Sequence, residues 1–320
     1  MRRLFGHSLI YSTKMAMNTD NKKNRPVVGL GEVLWDCLPS GRKLGGAPAN
    51  FTYHAMQCGC NAVAVSAVGS DALGEETLAL LASKGLRCEM PKIDYPTGKV
   101  EVTLDADGVP TYRFSPDAAW DHIPFSAAVG EIAKACRAVC FGSLAQRSAE
   151  SRATINKFLD ATPADCLKIF DINLRQNFYA FATLEQSMNR CDVLKINDEE
   201  FELVTRTAGL QQCDVEAAAR ALMKRYVIST LVLTCGEEGS YVFADGGVAN
   251  HEKTPHVCVA DTVGAGDSFT AAFVSGVLGG MDIAAAHKLA VDVSAFVCTQ
   301  HGAMPELPAE LAGRFKAANG

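Results

Sequence analysis

The chain has 320 residues, 48% of them apolar, with 30 Lys and Arg against 36 Asp and Glu for a formal charge of −6. That is enough apolar side chain for one large buried core, and the acidic balance leaves no basic footprint for a nucleic acid. No run of about 18 uncharged apolar residues occurs, so no membrane-spanning helix is expected.

Residues 1–25 read as a disordered leader. The apolar start Leu4-Phe5 breaks at Gly6-His7-Ser8, too early for a signal peptide. Val27 to Gly31 is short and apolar, as a buried parallel strand is. Similar runs recur at 62–68, 138–141, 168–172, 193–196 and 230–233. Helical patterns lie between and beyond them, at 49–57, 74–83, 131–134, 149–159, 199–203 and 215–226. The alternation predicts an α/β fold over residues 26–315: a doubly wound, mainly parallel sheet with helices on both faces, then a short tail at 316–320.

Two stretches break the rhythm. Residues 34–46 follow the first strand without a helical pattern. Residues 91–123 contain alternating runs at 99–104 and 109–114 around Asp107-Gly108, a hairpin signal. Both are expected to form a small β lid over the carboxyl ends of the strands, where such folds hold their ligands. A small sheet with an uncovered apolar face invites pairing, so a homodimer through the lid is a candidate assembly. Twelve cysteines without a CxxC pair sit largely in apolar runs such as Val139-Cys140-Phe141. Cys acts there as a small hydrophobe, and free thiols in a reducing, cytoplasmic compartment are expected.

Two segments carry chemistry. In Asp261-Thr262-Val263-Gly264-Ala265-Gly266-Asp267 the small residues 264–266 precede an apolar, helix-compatible stretch, 268–277. Free N–H groups at a helix start bind anions. Asp267 in that first turn can take a proton from an attacking hydroxyl while the amides hold phosphoryl charge. A bare Gly-x-Gly-Asp would equally suit a tight loop with a capping Asp. In Gly45-Gly46-Ala47-Pro48-Ala49-Asn50 the glycines let the backbone approach a ligand, Pro48 suits a first helical turn, and Asn50 offers donor and acceptor to sugar hydroxyls. An ordinary loop-to-helix junction fits that segment too. Asp36, five residues past the first strand, is either a hydroxyl acceptor or an exposed Asp. No Walker A loop, dinucleotide fingerprint, zinc spacing or nucleophile elbow is present.

These two segments, in this order, resemble the two signatures of ribokinase-like (PfkB) sugar kinases, and the likeness spans roughly 26–310. It implies ATP and Mg²⁺ as nucleotide and metal, with K⁺ as a further candidate. Asp267 resembles the general base, and Gly264, Ala265 and Gly266 the anion hole. Asp36, Gly45, Gly46 and Asn50 resemble sugar contacts. Asn197-Asp198-Glu199-Glu200 resembles an Asn-x-x-Glu motif in which Glu200 acts on Mg²⁺ through water; an acid-rich helix start explains it equally. Thr234, Gly236 and Gly239 resemble the turn at the ATP phosphates, and Gly302 the turn near adenine. Asp261 and the Val263 backbone resemble a monovalent-cation site. Arg175 is a phosphate contact or a surface ion pair.

Within the family, Gly31-Glu32 with Asp36 and Asp171-Ile172-Asn173-Leu174-Arg175 is similar to bacterial fructokinases. Arg113 over the substrate would instead serve the carboxylate of a 2-keto-3-deoxygluconate kinase, and a ribokinase stays open. Trp120 packs on a sugar face or fills the lid's own core. A non-catalytic sugar or nucleotide sensor on the same fold remains the alternative of another class.

Overall fold

The structure, a computed structural model, describes residues 24–38, 41–104, 110–210 and 212–318. Residues 1–23 of the expected leader and the turn at Asp107-Gly108 lie outside the described residues. Arg25, at the leader's expected end, is anchored by its guanidinium to Asp165 at 2.8 and 3.0 Å.

The main sheet runs in the order β15–β14–β13–β12–β11–β10–β1–β4–β6. Its strands are β1 (Val27–Leu30), β4 (Ala62–Val65), β6 (Arg87–Glu89), β10 (Ala138–Phe141), β11 (Leu167–Asp171), β12 (Val193–Asn197), β13 (Thr230–Thr234), β14 (Ser240–Ala244) and β15 (Ala249–Glu252). Pairing is parallel from β6 to β13, and β14 and β15 add an antiparallel edge. The expected strand at 62–68 is two: after β4, β5 (Val68–Gly69) pairs with β7 (Lys92–Ile93) in a separate ribbon.

Helices cover both faces. On one side α3 (Ala127–Ala135), α4 (Ala149–Ala161), α5 (Phe181–Met188), α6 (Asp198–Thr207) and α7 (Val215–Tyr226) bring Ile132, Phe158, Leu184, Phe201 and Leu222 onto Leu30, Phe141 and Phe170 of the strands. On the other, α1 (Ala47–Gln57), α8 (Ala265–Leu278), α9 (Ile283–Cys298) and α10 (Ala309–Ala318) bury Phe51, Phe269, Leu289 and Phe315 against Val27, Cys140 and Ile169. A further helix, α2 (Ala72–Ser83), packs Leu81 with Trp35 and Tyr53. The last helix runs past 315 into the expected tail. The twelve cysteines are free, as expected.

A second sheet stands at the carboxyl ends of the main strands. It joins β2 (Leu34–Leu38), β3 (Gly41–Gly45), β8 (Gly98–Leu104) and β9 (Pro110–Phe114) in the order β3–β2–β8–β9. The two stretches that break the sequence rhythm thus meet through the parallel β2–β8 pairing.

Candidate active site

From β1 the chain builds outward through β4 and β6, then returns to the other side of β1 for β10 to β13. The order reverses beside β1, and ligands in open α/β sheets bind at such a reversal, past the carboxyl ends of the strands. A cleft of about 930 Å³ lies there. Glu32, Asn173, Asn197 and Thr234 reach it from the strand ends, Lys195 from mid-strand, and Asn50 and Asp267 from two helix starts.

The second sheet roofs this cleft, and its register decides which side chains face inward. Asp36 opposes Lys43 across β2–β3, Asp36 also opposes Val100 across β2–β8, and Val100 opposes Phe114. These four share a face and line the cleft. Arg113 belongs to the opposite face, opposing Glu101, and is exposed. The expected place of Arg113 over the substrate is therefore corrected by strand alternation. Trp120 is not at the cleft either: it is fully buried in the main core, with the Arg147 guanidinium 4.0 Å over its ring.

The two signature segments meet. Gly46 initiates α1 at φ 113°, and a Cβ there would stand 2.4 Å from the Glu32 carbonyl oxygen, so only glycine fits. One turn into α1, Asn50 Nδ2 donates to Asp267 Oδ2 at 2.8 Å. Gly264 initiates α8 at φ 79°, with a would-be Cβ 2.8 Å from Ala303. Ala265 N–H turns back to the Thr262 carbonyl at 3.2 Å. Of the expected anion-hole residues, Ala265 is thus already engaged, whereas the Gly266 and Asp267 amides begin the helix beyond it.

Burial, then the nearby Asp171 carboxylate, pushes Asp267 up to about 6, against the pull of the Asn50 bond, Lys195 and Arg175. Glu32 is 2% exposed and is raised to about 7, by burial first and with the Asp267 charge adding to it. Among the described residues, Oε2 of Glu32 and Oδ1 of Asn50, buried at the cleft, have no hydrogen-bond partner. Such atoms are what hydroxyls of a ligand satisfy.

The remaining expected residues divide. Asn197, Thr234 and Arg175 line the cleft; Gly236, Gly239 and Gly302 sit outside its lining. Asn197 also caps α6 through Glu200 N–H at 2.8 Å. Glu200 accepts from Leu174 N–H at 2.7 Å and Asn197 N–H at 3.0 Å, one bond to each oxygen. Its carboxylate ties the 173–176 loop to the helix start from behind the cleft lining. Among the described residues no three His, Cys, Asp or Glu gather into a metal cage.

Asp261 does not fit a resident monovalent cation in this arrangement. Its carboxylate accepts Lys43 Nζ at 2.8 Å, Val263 N–H at 3.1 Å and Gly302 N–H at 3.1 Å, and an ammonium already supplies the positive charge. Lys43 was not foreseen from sequence, nor were Glu32 as a cleft carboxylate and Lys195. No local signal marks the lysines, because register and crossing of the cleft place them.

The sequence profile of pfkB family carbohydrate kinases matches residues 33–310. The chain belongs to that family. Among curated PfkB relatives, Fructokinase-2 of Solanum habrochaites is 28% identical, over 88% of this chain and 93% of its own. An ATP-dependent 6-phosphofructokinase of Thermoanaerobacterium thermosaccharolyticum is 26% identical, over 90% and 92%. Among solved structures, the fructokinase of Vibrio cholerae O395 with fructose, ADP and calcium ion bound superposes with TM-score 0.74 at 22% identity, covering 92% of this chain and 99% of that one. The PfkB assignment makes this chain a sugar phosphotransferase of the ribokinase-like fold. Among its described residues no helix is long and apolar enough to cross a membrane.

Proposed function

We propose that this PfkB kinase transfers the γ-phosphoryl group of MgATP to the 6-hydroxyl of fructose. The observation that carries the reading is the meeting of Asp267 and Asn50 at 2.8 Å, which joins the two signature segments across one buried site. The sugar lies under the second sheet, which acts as a lid. Asp36, Glu32 and Asn50 bond its hydroxyls, and the glycines 45 and 46 let it approach the backbone. The nucleotide lies over the ends of β12 and β13, with Asn197, Thr234 and Arg175 at its phosphates and the turns at Gly236, Gly239 and Gly302 at its margin.

Asp267 takes the O6 proton as O6 attacks the γ-phosphorus. The bond from that phosphorus to the β,γ-bridging oxygen breaks, and ADP leaves with the electron pair. The Gly266 and Asp267 amides face the phosphoryl charge from the helix start. Mg²⁺, when bound with ATP, neutralises charge on the phosphate oxygens. With its carboxyl near 6, Asp267 is mostly ionised at pH 7 and remains basic enough to accept the proton. Lid closure would keep water from competing for the phosphoryl group.

Several relatives and structural neighbours are fructokinases, and the Vibrio cholerae protein holds fructose with ADP. The keto-deoxy acid reading leaned on Arg113, whose position on the far face withdraws that support. An ADP-release assay over fructose, ribose, 2-keto-3-deoxygluconate, fructose 6-phosphate and nucleosides tests the choice. Fructose is expected to give the highest kcat/KM. A higher value for another sugar overturns the substrate, and saturable sugar binding without ADP release returns the sensor.

A further inference from the structure

Lys195 lies in the middle of β12, yet its side chain reaches the cleft. It is 8% exposed, and its register partner on β11 is Asp171. The ammonium stands 3.2 Å from Asp171 Oδ1, whose other oxygen accepts Thr270 Oγ1 at 2.9 Å. Thr270 lies on α8, one turn after Gly266. A Cβ built on Gly266 would be 3.1 Å from Lys195 Nζ. The lysine head therefore packs directly against the first turn of the helix that holds Asp267.

Stability gives no reason for this pair. Taking two charges out of water costs more than their attraction usually returns, and an apolar pair of similar volume would pack as well or better. Function gives one. The cleft collects Glu32, Asp36, Asp261 and Asp267, with Asp171 and Glu200 buried behind them. A triphosphate entering that field needs cations beyond its own metal. Lys43 is tied to Asp261. Of the cations lining the cleft, only Lys195 is held at the helix start. Burial works against its charge, but Asp171, Glu200 and Asp267 keep it protonated, above the ordinary lysine range. An ammonium has three donors, so its ion pair with Asp171 leaves donors for a ligand.

We propose that Lys195 is a further catalytic residue, its ammonium bonding the γ-phosphoryl oxygens as the group passes from ATP to the sugar, with Asp171 and Thr270 fixing its aim. The inference rests on the kinase reading of the site.

The test uses Asp171→Asn/Lys195→Met, which removes both buried charges together, beside Lys195→Gln and Lys195→Arg. In a folded variant without the ammonium, kcat is expected to fall by about 10²-fold or more, the scale for losing one preorganised donor. The fructose KM should stay within about threefold, since uniform binding is untouched. Titration with ADP and with a β,γ-imido ATP analogue should show the preference for the triphosphate lost, a readout that a merely structural lysine would not move. Lys195→Arg, keeping a cation, should recover part of the turnover. A kcat within threefold of wild type, or an unchanged triphosphate preference, overturns the proposal. Should both neutral variants unfold, the wild-type protein decides: its Lys195 ¹⁵Nζ resonance, assigned by its loss in Lys195→Arg, should move with MgADP plus aluminium fluoride more than with MgADP alone, and equal responses overturn the proposal. Asp267→Asn separates the two levels. If that variant is inactive while the lysine variants are normal, only the lysine is wrong. If it turns over normally, the site reading itself fails.

Discussion

Replacing Asp267 by Asn should make the protein more stable as it makes it inactive. The side chains are nearly the same shape, and the Asn oxygen can still accept from Asn50 Nδ2, which now meets Asp267 at 2.8 Å. What the substitution removes is a buried charge. Asp267 has its carboxyl raised from 3.8 to about 6, chiefly by burial and then by Asp171. At ~1.36 kcal/mol per pH unit, that difference corresponds to a penalty of ~3 kcal/mol for holding the ionised form in the folded protein. The raised value means that between about pH 4 and 6 the folded state binds more protons than the unfolded one. The stability of the wild type therefore falls as pH rises through that window. Below about pH 3 both states are protonated and the penalty vanishes; above about pH 7 it is complete.

Urea unfolding of both proteins at pH 4 and at pH 8 measures this. Asp267→Asn should come within ~0.5 kcal/mol of wild type at the lower pH and exceed it by ~3 kcal/mol at the higher, a gain of roughly 4–5 °C in Tm for a chain of this size. Turnover should drop ~10²-fold or more, the scale of a positioned base. The activity of the wild type should decline below about pH 6, as the base is protonated. A variant less stable than wild type at pH 8, or equally stabilised at both pH values, would refute the electrostatic reasoning.

Lys43→Met removes the bridge from β3 to Asp261 across the cleft, at 2.8 Å with side chains 40% and 15% exposed. Such an accessible pair is worth little, so substrate KM values should rise only ~2–5-fold, and 0.5 M salt should erase most of the difference from wild type by screening. A KM unchanged at low salt would show that the bridge does not hold the lid. Arg113→Ala should leave kcat and KM for fructose within about twofold, as substitutions on an exposed face do. A tenfold rise in KM would place Arg113 in the cleft after all.

The sheet and the two signatures were legible because each is local. Val27 to Leu30 is apolar on both faces, which marks a strand covered by helices on both sides. The glycines at 46 and 264 mark the helix starts whose positive φ they permit. By contrast, α9 escaped the periodicity because Ala286, Leu289, Ala290, Val291 and Val293 are buried around most of its circumference, leaving little polar face to set the period. The strands β2 and β3 were expected only as part of a lid, without bounds, because one face carries Asp36 and Lys43 toward the cleft while the other buries Trp35 and Leu44, so polarity does not alternate as it does at a solvated sheet.

Arg113 and Lys195 show the same limit from two sides. A strand fixes that neighbouring residues point to opposite faces, but not which face meets the ligand. The Val100–Phe114 register turns Arg113 away, and the Asp171–Lys195 register puts a lysine inside what reads as an ordinary apolar strand beside a carboxylate 24 residues earlier. A one-residue slip in β9 would exchange Phe114 for Arg113 over the cleft, adding a further cation to an acidic pocket and changing the class of sugar it could hold. Charge at the floor of this site is therefore set by pairing between strands rather than by any segment of sequence. Substrate preference in a PfkB chain of this kind should respond more to shifts of lid register than to point changes within residues 261–267, which in the proposed mechanism serve the phosphoryl transfer common to every sugar.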